Sequence, residues 1–160
     1  MRIGIAAAAL TALTGTQAMA ADAAFCASLK KVIAAAAGTP SFKAMEGKSY
    51  GSSYEGTLRL IPKGLCSISR IAGISDSYGC MASSLIPTAD AKAMVAKLHA
   101  DTAACLKVTP RKPGLTESYG GEDELFYETT VGATKVFVAI NRKGGATEQL
   151  PGISVNRRNR

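Results

Sequence analysis

The sequence lacks the motifs on which most catalytic sites are built, and it contains a single histidine, His99. That histidine lies two residues before Asp101 on a predicted helix. Residues two apart point to different helix faces, so the two side chains do not form a ready His–Asp pair. The chain has no G-x-S-x-G nucleophile elbow, and its glycine-rich segments lack the Lys-Ser/Thr of a phosphate-binding loop. These absences predict a protein without enzymatic activity.

The acidic segment Glu122–Glu124 leaves a weaker alternative open. Clustered carboxylates can bind calcium or supply the acid and base of a glycosidase, so a hydrolase acting on envelope polymers would use them. The D-x-D-x-D-G spacing of a calcium loop is missing, however, and adjacent carboxylates on a loop are usually solvated. We therefore expect neither a metal nor a cofactor.

The four cysteines contain no C-x-x-C pair, and no two of them are closer than Cys66 and Cys80. Zinc sites usually take their ligands from close pairs, and thioredoxin-type redox sites need C-x-x-C as well. An even number of cysteines in an exported chain is typical of structural disulfides. We expect two disulfides among Cys26, Cys66, Cys80 and Cys105.

Long apolar runs are absent after the first twenty residues, and the run at the N-terminus is short. Arg2 precedes the uncharged segment Ile3–Leu13, and Ala18-Met19-Ala20 follows it. This order predicts a cleavable secretory signal over residues 1–20, because the apolar run is shorter than the roughly 20 residues that span a bilayer. We expect residues 21–160 to form a single globular domain, periplasmic or secreted from a bacterium, with no transmembrane segment after cleavage.

Acidic residues are scarce relative to basic ones, 12 against 19, which gives a net charge of +7. An exported protein rarely meets nucleic acid, so this excess favours a protein or an acidic polymer of the cell envelope as partner. Alternatively, the excess only maintains solubility and includes a short basic C-terminal tail, residues 157–160.

Two amphipathic helices are predicted, and their phases favour one cysteine pairing. The first is capped by Asp22 and runs to Gly38, with an apolar stripe at helical spacing made of Phe25, Cys26, Leu29, Val32 and Ile33. The second begins after Thr88 and ends near Leu106, with Cys105 on its apolar stripe. Two such helices packed on one sheet would bring Cys26 beside Cys105.

Six segments have the composition of β-strands, namely Thr57–Ile61, Cys66–Ile71, Tyr78–Ile86, Leu125–Val131, Thr134–Ile140 and Leu150–Val155. Pro151 cannot donate to a ladder, so the last strand is expected at a sheet edge. A turn near Gly73 would place Cys66 opposite Cys80 in an antiparallel pair. The pattern predicts an α+β fold with two helices on an antiparallel sheet, in the order αβββ-αβββ. A shift of 69 residues places Leu29 on Leu98, which indicates either an internal repeat or coincidence.

Tyrosines set among serine and glycine are the most partner-like feature of the chain. Tyr50 and Tyr54 lie in one such segment and Tyr119 in another. Tyrosine buries a large area at low entropic cost, so these residues are candidate partner contacts, although flexible surface loops have the same composition. We expect a small exported disulfide-bonded binding protein, with a structural or lipid-handling envelope protein as the alternative.

Overall fold

The computed structural model describes residues 22–72, 74–108, 126–142 and 147–158. The predicted signal segment, the Gly73 turn position, the acidic segment Glu122–Glu124 and Tyr119 lie outside these residues. The described part contains two α-helices and eight strands, and thus confirms a mixed α+β protein. The elements are α1 (Ala23–Ala35), β1 (Glu46–Tyr50), β2 (Ser53–Gly56), β3 (Leu65–Ile71), β4 (Ser75–Met81), β5 (Ile86–Pro87), α2 (Thr88–Leu106), β6 (Phe126–Val131), β7 (Thr134–Arg142) and β8 (Glu148–Arg158).

Both helices begin close to the predicted positions. The Asp22 carboxylate caps α1 by accepting hydrogen bonds from the N–H groups of Ala24 and Phe25, at 2.8 and 3.2 Å. Such a cap satisfies N–H groups that have no partner within the helix. The last helical residue of α1 is Ala35, before the predicted Gly38, whereas α2 covers the predicted range Thr88–Leu106.

All strand pairs in the sheet are antiparallel, in the order β1-β2-β3-β4-β8-β7-β6, and the short β5 pairs with β8. The order along the chain differs from the expected αβββ-αβββ, because five strands rather than three precede α2, and β1 and β2 both lie ahead of the first predicted strand. The shift of 69 residues does relate two buried helix positions, Leu29 and Leu98. Residues 115–119, on which the same shift places β1, lie outside the described residues.

One face of the sheet, the covered face, carries the buried side chains. Alternate residues of β3 and β4 are buried there, as the two-residue period of a strand requires. α2 packs on β7 and β8, and α1 packs against α2. The largest fully buried side chains are Tyr78, Phe42, Leu29, Leu60, Ile61, Ile68, Ile153, Val32, Val95, Val136, Val138 and Val155.

The predicted strand Thr57–Ile61 is wrong, because this segment is an irregular connection between β2 and β3. Its consecutive residues Leu60 and Ile61 are both buried, which a strand with alternating faces does not allow. The buried Tyr78 hydroxyl fixes the segment instead, donating to the Leu58 carbonyl at 2.6 Å and accepting from the Leu58 N–H at 2.9 Å. A side chain thereby satisfies backbone groups that a neighbouring strand would otherwise pair with.

Gly56 makes room for this tyrosine. A Cβ atom at position 56 would lie 2.6 Å from the Tyr78 hydroxyl oxygen and 2.7 Å from its ring carbon Cζ. The ring therefore crosses β2 directly over the glycine. Any larger residue at position 56 would force the ring or the strand to move.

The predicted edge position of the last strand is also wrong, since β8 lies between β4 and β7. Pro151 is tolerated there because its carbonyl accepts from the Ala82 N–H at 3.0 Å, just beyond Met81–Gly152, the last β4–β8 pair. In an antiparallel pair the N–H and C=O of one residue point to the same side, so the missing N–H costs no bond to β7. The basic residues Arg157 and Arg158 belong to β8 rather than to a tail.

Both cysteine pairs lie at disulfide distance, in the pairing that helix phase and strand register favour. Cys26 of α1 joins Cys105 of α2 with a Cα–Cα distance of 5.4 Å, and Cys66 of β3 joins Cys80 of β4 at 4.1 Å. Cys66 and Cys80 are direct partners in the β3–β4 register. None of the described cysteines is free.

Candidate functional site

The second face of the sheet, the open face, consists of the side chains that alternate with the buried ones. Strand register aligns one row of its side chains from β2 to β6, and every member is polar and exposed or half-buried. The row contains Ser53, Ser69, Ser77, Asn156, Lys135 and Thr130. The Ser77 hydroxyl and the Asn156 side-chain oxygen are 2.6 Å apart, which ties β4 to β8. The middle of the open face is therefore a polar surface of mainly short side chains.

Aliphatic side chains stand at both ends of this polar surface. At one end, Leu65 and Met81 are register partners and are 62% and 38% exposed. At the other end, Ile71 and Ile74 flank the β3–β4 turn and are 53% and 62% exposed. A single exposed aliphatic residue is ordinary, whereas several on one face of a sheet make that face a candidate contact surface.

A surface cleft of about 460 Å³ lies on the open face between the β3–β4 and β6–β7 turns. Its large apolar lining residues are Ile74 and Phe137, and its polar lining residues include Thr130, Asn156 and Arg158. The hydrogen bond from the Ile74 N–H to the Ile71 carbonyl, 3.0 Å long, holds Ile74 in the turn at the rim. The volume is within the range of ligand pockets, roughly 300–1,000 Å³.

The cleft is positively charged. Lys135 and Arg158 line it, and none of the described residues that line it is acidic. The Lys135 ammonium is 2.8 Å from the Glu128 carboxylate, which offsets its charge. Arg158 forms no ion pair with any residue that the structure describes. Among the described residues of the cleft, its guanidinium is therefore the cation without a carboxylate partner.

The structure separates the tyrosines that the sequence analysis grouped together. Tyr50 is 58% exposed and, as the register partner of Ser53, extends the polar row of the open face onto β1. Tyr54 is half-buried as the partner of Ile68 on the covered face, with the Arg70 guanidinium 5.0 Å from its ring centre. Their segment is a β-hairpin rather than a flexible loop, and Gly51 at its turn has a φ of 61°.

Arg70 organises a small charged cluster beneath this hairpin. It forms an ion pair with Glu46 and donates to the Ser41 carbonyl at 2.9 Å. Lys43 contacts the same carboxylate at 2.8 Å. The hydrogen bond from Lys43, opposed by burial and assisted by Arg70, holds the pKa of Glu46 below its ordinary value. The cluster stabilises the start of β1.

His99 is half-buried and stacks on Tyr127, with ring centres 3.7 Å apart and an interplanar angle of 16°. Burial lowers the pKa of His99. Its Nε2 atom has no hydrogen-bond partner in the described part of the chain. The nearby carboxylate of Asp101 on α2 instead accepts a hydrogen bond from the Lys97 ammonium, at 2.5 Å. This arrangement offers His99 no acid or base partner among the described residues.

Within residues 22–72, 74–108, 126–142 and 147–158, no group of three or more histidine, cysteine or acidic residues is placed to hold a metal ion. None of the helices in these ranges is both long and apolar enough to span a membrane.

The cleft residues Ile74, Lys135 and Arg158 were not identified from the sequence. They lie on three different strands or turns, and only strand register brings them together. The alternation of serines in Cys66–Ile71 and Ser75–Met81 is the one sequence signal that indicates a polar open face.

No protein-family model, curated protein or solved structure matches this chain. Any functional proposal therefore depends on its own geometry and charges.

Proposed function

We propose that the chain is a small exported, disulfide-bonded binding protein without enzymatic activity, and that it binds its partner through the open face of the sheet. The observation that carries this proposal is the open face itself: a polar row with exposed aliphatic residues at both ends. The partner is a protein of the cell envelope. Exposed aliphatic side chains beside polar groups on one face suit a protein surface, since protein contacts combine apolar anchors with hydrogen bonds.

The rigidity of the platform supports this proposal. Neighbouring strands pair along the full lengths of β3 and β4, and α2 packs on the covered face against β7 and β8. A surface held in this way loses little conformational entropy on binding. The two disulfides add constraint, one between β3 and β4 within the sheet and one between the helices α1 and α2.

Export to an oxidising compartment is part of the proposal. The order of charge, apolar run and Ala18-Met19-Ala20 supports a signal segment, and the two cysteine pairs are compatible with the periplasm or the exterior. Expression of the full chain in a bacterium, followed by mass spectrometry of the periplasmic product, tests it. A mature N-terminus at Ala21 is expected, whereas an intact chain retained in the cytoplasm would contradict export.

Binding through the open face is tested with Ser154→Arg. Ser154 lies on the open face between Gly79 and Phe137 in the strand register, so a long charged side chain there obstructs docking. The matched control is Ala100→Arg, which adds the same side chain at an exposed position of α2.

The oxidised protein, residues 21–160, is immobilised and exposed to envelope extract at moderate and at high salt. A protein retained at high salt by wild type and by Ala100→Arg, but lost with Ser154→Arg, supports the proposal. Equal retention by all three proteins would remove the open face as the binding surface. Retention of acidic polymers alone, abolished at high salt, would indicate nonspecific charge attraction.

A further inference from the structure

The cleft between the β3–β4 and β6–β7 turns is lined by both apolar and cationic residues. Ile74 and Phe137 are the large apolar residues of its lining, and Lys135 and Arg158 are the cationic ones. Its floor consists of strands that are already paired with their neighbours, because β4, β8, β7 and β6 are consecutive in the sheet. An added strand cannot pair with this floor, so an occupant is recognised by side chains.

We propose that this cleft receives an acidic side chain, glutamate or aspartate, of a partner protein, together with a neighbouring apolar side chain of the same segment. This inference rests on the proposed function and names what the partner presents. The carboxylate pairs with Arg158, and the apolar side chain packs on Ile74, which precedes Ser75, the register partner of Arg158.

Charge complementarity selects the acidic group. Arg158 has no ion-pair partner among the described residues, while Lys135 is shared with Glu128. A guanidinium binds a carboxylate through two parallel hydrogen bonds, which gives both orientation and strength. The surplus of 19 basic over 12 acidic residues also attracts acidic partners over a longer range.

The mixed lining selects a protein segment rather than an acyl chain. The cleft opens onto the surface of the sheet, and Thr130, Asn156 and Lys135 contribute polar groups to its lining. A fatty acyl chain buries itself in an apolar cavity, where these polar groups would be left without partners. A peptide supplies backbone groups that can hydrogen-bond to them.

The experiment measures direct binding of a defined probe and needs no native partner. The probe is the amide of acetyl-Leu-Glu-Leu-Glu-Leu, and its matched control has glutamine in place of both glutamates. Each is titrated into the ¹⁵N-labelled oxidised protein, residues 21–160, while amide chemical shifts are followed. Shifts are expected at Ile74, Lys135, Asn156 and Arg158, around the cleft.

Two variants with the same change in net charge separate a specific contact from general attraction. Arg158→Gln removes the cleft cation, and Lys92→Gln removes an exposed cation from α2. We expect Arg158→Gln to weaken binding of the probe at least about tenfold, as loss of a charge-assisted hydrogen bond predicts. Lys92→Gln should leave the dissociation constant within about twofold, since a distant exposed charge is screened by salt.

Equal binding of the glutamine control, or equal weakening by the two variants, would overturn the proposal. Sodium octanoate and polygalacturonate are titrated as further probes. Tighter binding of either at the same amides would assign the cleft to an acyl carboxylate or an acidic polysaccharide and would also overturn it. If the peptide binds but no envelope protein is retained, the cleft assignment stands and the proposed function is rejected. If an envelope protein is retained but the peptide does not bind, the proposed function stands and the cleft assignment is rejected.

Discussion

The strands β2–β4 and the strands β6–β8 lie on opposite sides of the β4–β8 contact, and their covered faces are stabilised by different chemistry. In the first group, Cys66 of β3 faces Cys80 of β4. In the second group, Val136 of β7 faces Val155 of β8. A covalent bond in the first half thus occupies a place that two valines occupy in the second.

The difference extends to the rest of the two inner strands. On β4, Tyr78 is fully buried, and its hydroxyl bonds to Leu58 while its ring crosses Gly56. On β8, the corresponding buried residues are the aliphatic Ile153 and Val155. Aliphatic packing tolerates changes that keep volume and polarity, whereas a buried hydroxyl requires its specific partners. The first half therefore depends on specific contacts and the second on apolar burial.

The largest effect is expected from removing the disulfide Cys26–Cys105, which joins α1, ahead of the first group of strands, to α2, ahead of the second. It closes a loop with a sequence separation of 79, and the double variant Cys26→Ala/Cys105→Ala tests its contribution. Loop-closure entropy predicts a loss of about 4.5 kcal/mol in the free energy of unfolding, measured by urea denaturation of the oxidised proteins.

The control for this measurement is Cys66→Ala/Cys80→Ala, which opens a loop with a separation of only 14. The same relation predicts a smaller entropic loss of about 3 kcal/mol. A larger loss in the control would show that strand packing at Cys66 and Cys80 contributes more to the free energy of unfolding than the disulfide between α1 and α2 does.

A second prediction converts the first half to the chemistry of the second. Cys66→Val/Cys80→Val places two valines where Val136 and Val155 stand in the other half. Relative to the alanine pair, four additional buried carbons should restore about 3 kcal/mol. Urea denaturation of the two double variants under reducing conditions compares them.

The reciprocal change, Val136→Ala/Val155→Ala, should remove about 3 kcal/mol or more, because cavities add to the lost burial. If the valine pair at 66 and 80 were no more stable than the alanine pair, the covered face near Tyr78 would be too tightly packed for aliphatic replacement. The two halves would then differ in the shape of their packing rather than in its chemistry.

The sequence was informative wherever a local pattern and the tertiary structure agree. Asp22 caps α1 and α2 has the predicted range, because N-caps and helical stripes are local signals. Both cysteine pairings follow from helix phase and strand register. The strands around Cys66 and Phe137 were found from their β-rich composition.

Prediction failed where a distant residue decides the local structure. The segment Thr57–Ile61 has the composition of a strand, but Tyr78, twenty residues away from Leu58, takes its backbone bonds. Pro151 predicted an edge strand, but Pro151 lies just beyond the last β4–β8 pair. Its missing N–H therefore removes no bond of that ladder, and β8 can lie inside the sheet. β1 was missed because it buries little and so carries no apolar alternation.

The candidate site was harder to predict than the fold. The tyrosines share a local composition, yet register places Tyr50 and Tyr54 on opposite faces of the sheet. Ile74 and Arg158 meet at the cleft only because β4 pairs with β8. A surface assembled from strands far apart in the chain has no local sequence pattern, so its residues emerge only from the sheet topology.

The smallest expected effect is on the pH dependence of stability, to which one residue of β1 and one residue of α2 contribute. Glu46, in the first half, has a lowered pKa in the folded protein, so its contribution to stability is present above its ordinary value of 4.5 and is lost as the pH falls below it. His99, on α2, also has a pKa below its ordinary value, 6.5, because burial disfavours the charged ring. The unfolded chain therefore binds a proton more readily there, and stability is lost as the pH falls below 6.5.

Urea denaturation between pH 4 and pH 8 should therefore show a first decline in stability below about pH 6.5 and a second below about pH 4.5. His99→Phe keeps an aromatic ring on Tyr127 but cannot titrate, so it should abolish the first decline and retain the second. Glu46→Gln should abolish the second alone. If His99→Phe left the first decline unchanged, the histidine would titrate at its ordinary pKa in the folded protein, and the stack on Tyr127 would not exclude water from the ring.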